Sequence, residues 1–147
     1  MSGDCLLVLG WRERVDLPEL GIRRLRAKVD SGARSCCLHV ETHWHFIEGG
    51  APWVGFRLCR GRSGILLECA AALVDERPVV DSGGHRSLRP FIRTRLELAG
   101  VAREVEINLA DRSGMQFPML LGRSAMQGAF TIDPSRSWLH NRRRAPR

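Results

Sequence analysis

No apolar run in this 147-residue chain approaches the roughly 18 residues that a membrane-spanning helix needs. The opening, with Asp4 ahead of a short apolar stretch and Arg12, Glu13 and Arg14 behind it, lacks the basic start and long apolar region of a secretory signal. A cytoplasmic, unprocessed protein with no membrane partner is expected. Neither Cys-x-x-Cys nor His-Glu-x-x-His occurs, so the two commonest sequence signatures of zinc are missing. No Gly-x-x-x-x-Gly-Lys loop is present to cradle the phosphates of ATP. Cys5, Cys36, Cys37, Cys59 and Cys69 are odd in number and two are adjacent, which argues for reduced thiols rather than a disulfide framework. Aromatic residues are only 6% of the chain, leaving few platforms for base stacking, of which Trp44 and Trp53 are the best placed. Lysine is nearly absent: Lys28 is the single one among 23 basic residues. The net charge of +7 is therefore an arginine charge, and its sign favours acidic partners such as nucleic acid, an anionic surface or an acidic peptide.

What the chain has is enough β-forming sequence for one domain. A 44% hydrophobic content at this length buries one core, with no length left for a second ordinary one. Gly, Pro and Ser recur at short intervals, and the segments between them are rich in Val, Ile, Leu and Phe, a spacing that predicts an all-β barrel or sandwich. Strands are expected over 5–11, 27–31, 36–40, 54–59, 65–73, 91–98 and 103–109. Strict alternation in Arg93-Thr94-Arg95-Leu96-Glu97-Leu98 and in Glu104-Val105-Glu106-Ile107-Asn108-Leu109 gives each of the last two one apolar face. Ala99-Gly100-Val101-Ala102 reads as the hairpin joining them. A short helix is expected over 123–127, stopped by Gly128. Asp133-Pro134-Ser135 reads as a turn and Trp138-Leu139 as a last short strand. The domain is assigned to 1–139, and 140–147, with four arginines, to a basic tail.

Asp30-Ser31-Gly32-Ala33 carries the chemistry. A strand can deliver the Asp30 carboxylate rigidly, Gly32 permits close backbone approach, the Ser31 hydroxyl can both donate and accept, and Ala33 leaves room for a substrate backbone. Two carboxylates about 3 Å apart sharing one proton can split a peptide bond, one acting as base toward water and the other as acid. One copy of the motif per chain then requires two chains. Asp81-Ser82-Gly83-Gly84 looks like a second copy, but its surroundings suit an exposed turn and do not repeat the elements around Asp30.

Gly10-Trp11-Arg12-Glu13, Leu17-Pro18-Glu19-Leu20-Gly21-Ile22, Ala27-Lys28-Val29-Asp30-Ser31-Gly32-Ala33-Arg34-Ser35 and Phe117-Pro118-Met119-Leu120-Leu121-Gly122-Arg123 together resemble the retropepsin-like aspartic peptidases. The resemblance is to the subgroup labelled ATP-dependent zinc protease and associated with RimK-type ligases, which add glutamates to a ribosomal protein. It runs to about Leu139 and implies an all-β fold, a closed retropepsin-like β-barrel with one short C-terminal helix, active as a homodimer with catalytic Asp30 from each subunit. It further implies that Leu120, Leu121, Gly122 and Arg123 support the active-site loop of Ser31, Gly32 and Ala33. Residues 76–91 take the place of a flap, with Ser82, Gly83 and Gly84 as a substrate-touching tip.

The chain departs from the retroviral pattern at Arg34, which stands where a second Asp is usual. Arg123 then lacks that carboxylate and needs another partner. Arg34 could receive acidic substrate side chains through its guanidinium, or form a structural ion pair. The expected substrate is an acidic or glutamate-rich protein segment, such as a glutamylated ribosomal protein. The expected functional link is to an ATP-grasp glutamate ligase, with no cofactor and no metal held by this chain. Two other readings stay open. One is a non-catalytic dimer that binds acidic peptide or RNA. The other is a metal hydrolase using Cys36, Cys37, His39, His43 and His45, where His43-Trp44-His45 places both imidazoles on one face of a strand.

Overall fold

The computed structural model describes residues 5–60, 64–112 and 115–140. In chain order the strands are β1 (Leu7–Leu9), β2 (Arg12–Leu17), β3 (Ile22–Val29), β4 (Cys36–Val40), β5 (Thr42–Glu48), β6 (Ala51–Arg60), β7 (Ile65–Val80), β8 (Arg86–Leu98), β9 (Val101–Asp111), β10 (Met119–Leu121) and β11 (Phe130–Ile132). A 3-10 turn, Pro18–Leu20, separates β2 from β3, and α1 (Arg123–Met126) is the single α-helix among the described residues. Strands β1 and β11 pair in parallel as a small sheet. The other nine form one sheet in the order β2-β3-β10-β4-β9-β8-β7-β6-β5, and a further bridge, Asp16 to Glu97, joins β2 to β8.

Period-two patterning explains most of this. In β2, Glu13, Val15 and Leu17 point inward and Arg12, Arg14 and Asp16 outward. The same alternation runs through Thr94, Leu96 and Leu98 of β8. The β8–β9 hairpin closes on only two residues, Ala99 and Gly100, at φ 55° and 81°, the double left-handed pattern that matches strand twist. Strand β7 is longer than expected, reaching Val80 instead of Leu73. Its first half pairs with β6 and its second with β8, with a register shift between Leu73 and Asp75. Only the resemblance pointed to the second half, as part of a flap over 76–91; alternation did not mark it as strand because it leaves the core, with Val74 and Val80 exposed.

Three other expectations need correction. The first strand is shorter than 5–11, because at Gly10 the chain turns against the 136–137 backbone; a Cβ there would lie 2.4 Å from the Arg136 carbonyl oxygen. The strand before the Asp30 loop begins earlier, at Ile22, and ends at Val29. Trp138-Leu139 is not a strand. Its backbone is taken by an inward-pointing carboxylate: Glu13, fully buried, accepts the N–H groups of Leu139 (3.0 Å), His140 (3.0 Å) and Gly10 (2.8 Å). His140, assigned to the tail, also contacts the Val8 carbonyl through Nε2 at 2.7 Å. The rest of the tail, 141–147, lies outside the described residues. Among those described, no helix is long and apolar enough to cross a membrane.

Candidate active site

Strand β3 ends one residue before Asp30, and the loop that follows is fixed from three sides. Strand β10 lies between β3 and β4, parallel to the first and antiparallel to the second, so that Leu121 pairs with Val29 and Leu120 with Cys37. The Asp30 N–H donates to the Leu121 carbonyl at 2.9 Å. Asp30 Oδ1 accepts the Gly32 N–H at 3.1 Å, and the Asp30 carbonyl accepts the Ala33 N–H at 3.1 Å. Leu121 is buried and Leu120 half-buried beside the loop.

Gly122 is required by proximity rather than by dihedral angle: a Cβ there would lie 2.3 Å from the Ser35 carbonyl oxygen. Helix α1 then begins against the loop, the Arg123 N–H donating to the Ala33 carbonyl (2.8 Å) and the Ser124 N–H to the Arg34 carbonyl (3.0 Å). Helix-terminal N–H groups have no intrahelical acceptor, so these contacts satisfy both sides. Arg123 Nη1 donates to the carbonyls of Ser31 (3.1 Å) and Gly32 (3.2 Å). These carbonyls are the partner that the replacement of Asp by Arg34 left unidentified. Arg34 itself is exposed, and its guanidinium has no ion-pair or hydrogen-bond partner among the described residues.

Ser82, Gly83 and Gly84 form the tip of the β7–β8 hairpin, with Gly84 at φ 84°. Asp81 Oδ1 accepts the N–H groups of Gly83 and His85, both at 2.9 Å. The backbone bond from His85 is the largest influence holding the Asp81 carboxyl below its usual range. The second Asp-Ser-Gly therefore uses its carboxylate to build its own turn.

The histidines and cysteines considered for metal are dispersed onto separate partners. His39 is buried, with Nδ1 2.8 Å from the Phe117 carbonyl oxygen, and burial lowers its pKa. His43 pairs with Asp111 (2.7 Å) and His45 with Glu76 (3.7 Å). The two rings do share a face, edge-on at 5.6 Å. Cys36 and Cys37 are buried in β4, and burial pushes each thiol up to about 11. No group of three or more His, Cys, Asp or Glu side chains among the described residues is placed to hold a metal.

Two residues beside the loop escaped the sequence reading. Asn108, 2% exposed, donates through Nδ2 to Ser35 Oγ (3.1 Å) and the Cys36 carbonyl (2.9 Å). Its Oδ1 accepts Arg89 Nη1 at 3.0 Å. Alternation in β9 assigns position 108 to the polar face; there Arg89, Ser35 and Cys36 take up its carboxamide in place of water. Only the change from Glu to Asn in the run Glu104, Glu106, Asn108 hinted at the loss of solvent.

A strand-borne Asp-Ser-Gly loop, buttressed by a crossing Leu-Leu-Gly-Arg segment, agrees with the family profile that the chain matches. The RimB-like profile, described as retropepsin-like aspartic endopeptidase RimB, covers residues 8–143. The chain belongs to this family. Curated relatives of this RimB-like chain carry a different name, "Probable alpha-L-glutamate ligase". The protein so named from Shewanella pealeana is 37% identical over 137 residues, covering 92% of this chain and 30% of the relative. That from Desulfotalea psychrophila is 35% identical over 130 residues, covering 87% of this chain and 28% of the relative. The chain thus spans under a third of the length of these relatives. A crystal structure of a Legionella pneumophila protein of unknown function matches with a TM-score of 0.74 at 25% identity, covering 90% of this chain and 97% of that one.

Proposed function

We propose that the protein is an aspartic peptidase whose dyad is Asp30 and the Asp30 of a second copy, cutting an acidic or glutamate-rich protein segment. The observation that carries this reading is the Asp30 loop, held by Leu121, Gly122 and Arg123 while the carboxylate itself takes only the Gly32 N–H among the described residues. In the proposed reaction the ionised carboxylate removes a proton from water as the water oxygen bonds to the scissile carbonyl carbon. The protonated partner gives its proton to the carbonyl oxygen. Collapse of the tetrahedral intermediate breaks the C–N bond, with a proton passing to the leaving nitrogen. The pair titrates as one unit. The Asp16–Glu97 bridge supports a sheet closed into a barrel.

Charge supports the acidic substrate. Besides Arg34, the outer face of β2 and β3 sets Arg12 opposite Lys28 and Arg14 opposite Arg26, two like-charge cross-strand pairs that an anion would relieve further, beyond the stacking of Arg12 and Arg14 on the Trp138 ring. Burial, and then repulsion from Arg24 and Arg26, lowers the pKa of Arg14. The name carried by the longer relatives supports a working link with a glutamate ligase; ligase activity itself is not carried over, since most of their length has no counterpart here. By that reading, any ATP belongs to the ligase.

Replacing Asp30 with Asn should lower hydrolysis of a glutamate-rich peptide by about 10²-fold or more, while dimerisation and thermal unfolding stay close to wild type. Full activity of that variant, or full activity of a monomer, rules the dyad out. Peptide or RNA binding with no Asp30-dependent cleavage of any acidic peptide would favour the non-catalytic dimer.

A further inference from the structure

Arg89, on β8, is 9% exposed. Its Nε donates to Ser87 Oγ at 3.0 Å, and its Nη1 donates to Asn108 Oδ1 at 3.0 Å and Cys37 Sγ at 3.6 Å. All three acceptors are uncharged: a hydroxyl, a carboxamide, and a thiol kept protonated at neutral pH by burial. No carboxylate pairs with Arg89 among the described residues. The contrast within the same hairpin is direct. Arg77, more exposed, is forked onto Glu106 at 2.9 and 3.1 Å and also reaches Asp75 at 2.7 Å. A buried guanidinium without a counter-charge is costly, and burying one is tolerated when an anion arrives from elsewhere.

Two further observations say where that anion comes from. Arg89 Nη2, with two N–H groups, has no acceptor among the described residues, and 9% of the residue's surface stays exposed. An acceptor for Nη2 can therefore come from outside. The carboxamide that holds Arg89 also holds Ser35 and Cys36, the residues that follow the Asp30 loop. Asn108 thus links the unpaired charge to the loop at a separation of one side chain.

We propose that Arg89 forms the floor of a carboxylate-binding subsite beside the Asp30 loop, taking a glutamate or aspartate side chain of the substrate near the scissile bond. The assignment rests on the peptidase reading of that loop, and it places acidic selectivity in a buried residue instead of in surface charge. Nη2 supplies donors to the incoming carboxylate, while Ser87, Asn108 and Cys37 keep the fork's orientation fixed.

The test uses a glutamate-rich peptide and a set in which each Glu in turn is replaced by Gln. Binding is read by fluorescence polarisation on the Asp30→Asn protein and cleavage on the active protein, so a failed dyad leaves the binding readout intact. One Gln position should cost about 10-fold or more in affinity and in kcat/KM, the scale of a lost charge-assisted hydrogen bond. In Arg89→Gln that same position should become indifferent to Glu or Gln. Ser87→Asp, at an exposed position, supplies an internal carboxylate to Arg89 Nε; it should hold or raise the melting temperature and also erase the preference. Should Arg89→Gln not fold, Ser87→Asp alone decides. An undiminished Glu preference in folded Arg89→Gln or in Ser87→Asp overturns the subsite.

Discussion

A methyl group at position 122 would meet a backbone oxygen, whereas one at position 32 would meet a side chain, and the two glycines around the Asp30 loop should fail differently. At Gly122 the obstacle is the Ser35 carbonyl at 2.3 Å, which cannot move without shifting β4. Gly122→Ala should therefore cost about 3 kcal/mol or more of stability, read by urea denaturation. At Gly32 the neighbour is Asp30 Oδ1 at 3.3 Å. Gly32→Ala should fold with a near-wild-type midpoint and lose activity, because the carboxylate is what must give way. A Gly32→Ala protein with full activity would show that the Asp30 position is not critical. Both glycines were visible in the sequence as parts of motifs, and so was Asp30. What Arg123 binds was not visible, because its acceptors are main-chain carbonyls and every residue has one. Arg89 and Asn108 were hidden for a related reason: an arginine in an alternating strand reads as solvent-facing until the neighbouring strands are known.

Among the elements, β7 is the one whose role exceeds its sequence signal. It serves two neighbours in succession, β6 with residues 65–72 and β8 with 73–80. Besides its pairing to β8, the second half is tied by Arg77, which lies over the Phe91 ring at 4.2 Å and is forked onto Glu106 of β9. Hydrogen bonding from Arg77 holds the Glu106 carboxyl below its usual range. Arg77→Ala should loosen the hairpin base without touching the loop of Asp30. Faster amide exchange over 74–90 and a several-fold rise in KM with a smaller change in kcat are expected; unchanged exchange would show that the pairing to β8 suffices. Strands with one buried face were legible from alternation alone. The hairpin arm came only from the family resemblance, which set a flap at 76–91, since Val80 and Leu88 lie exposed on it and give no apolar stripe. Trp138-Leu139 failed in the opposite direction. Its apolar residues suggested a strand, but the Trp138 N–H donates to the Arg12 carbonyl and the Leu139 N–H to Glu13, and a buried acid in β2 could not be anticipated from an alternation that treats Glu13 like Val15.

For the molecule as a whole, buried thiols set an alkaline limit. Cys36, Cys37 and Cys69 are each pushed up to about 11 from 9.0, with burial as the largest cause. Above pH 9 the unfolded chain loses these protons while the folded one keeps them, so stability should fall between pH 9 and 11, and Cys69→Ser should flatten that fall in chemical denaturation. A pH-independent midpoint across that range would contradict the burial of these groups. The overall class, mostly β, followed from composition and punctuation, whereas the sheet order did not, because the insertion of β10 between β3 and β4 depends on pairings such as Met119 with Ala27 and with Leu38, far apart in the chain. The Glu13 carboxylate has a consequence at this scale too. By gathering Gly10, Leu139 and His140 it clasps the residue after β1 to the stretch that follows β11, so the single substitution Glu13→Gln should loosen both stretches together, read as faster amide exchange at each.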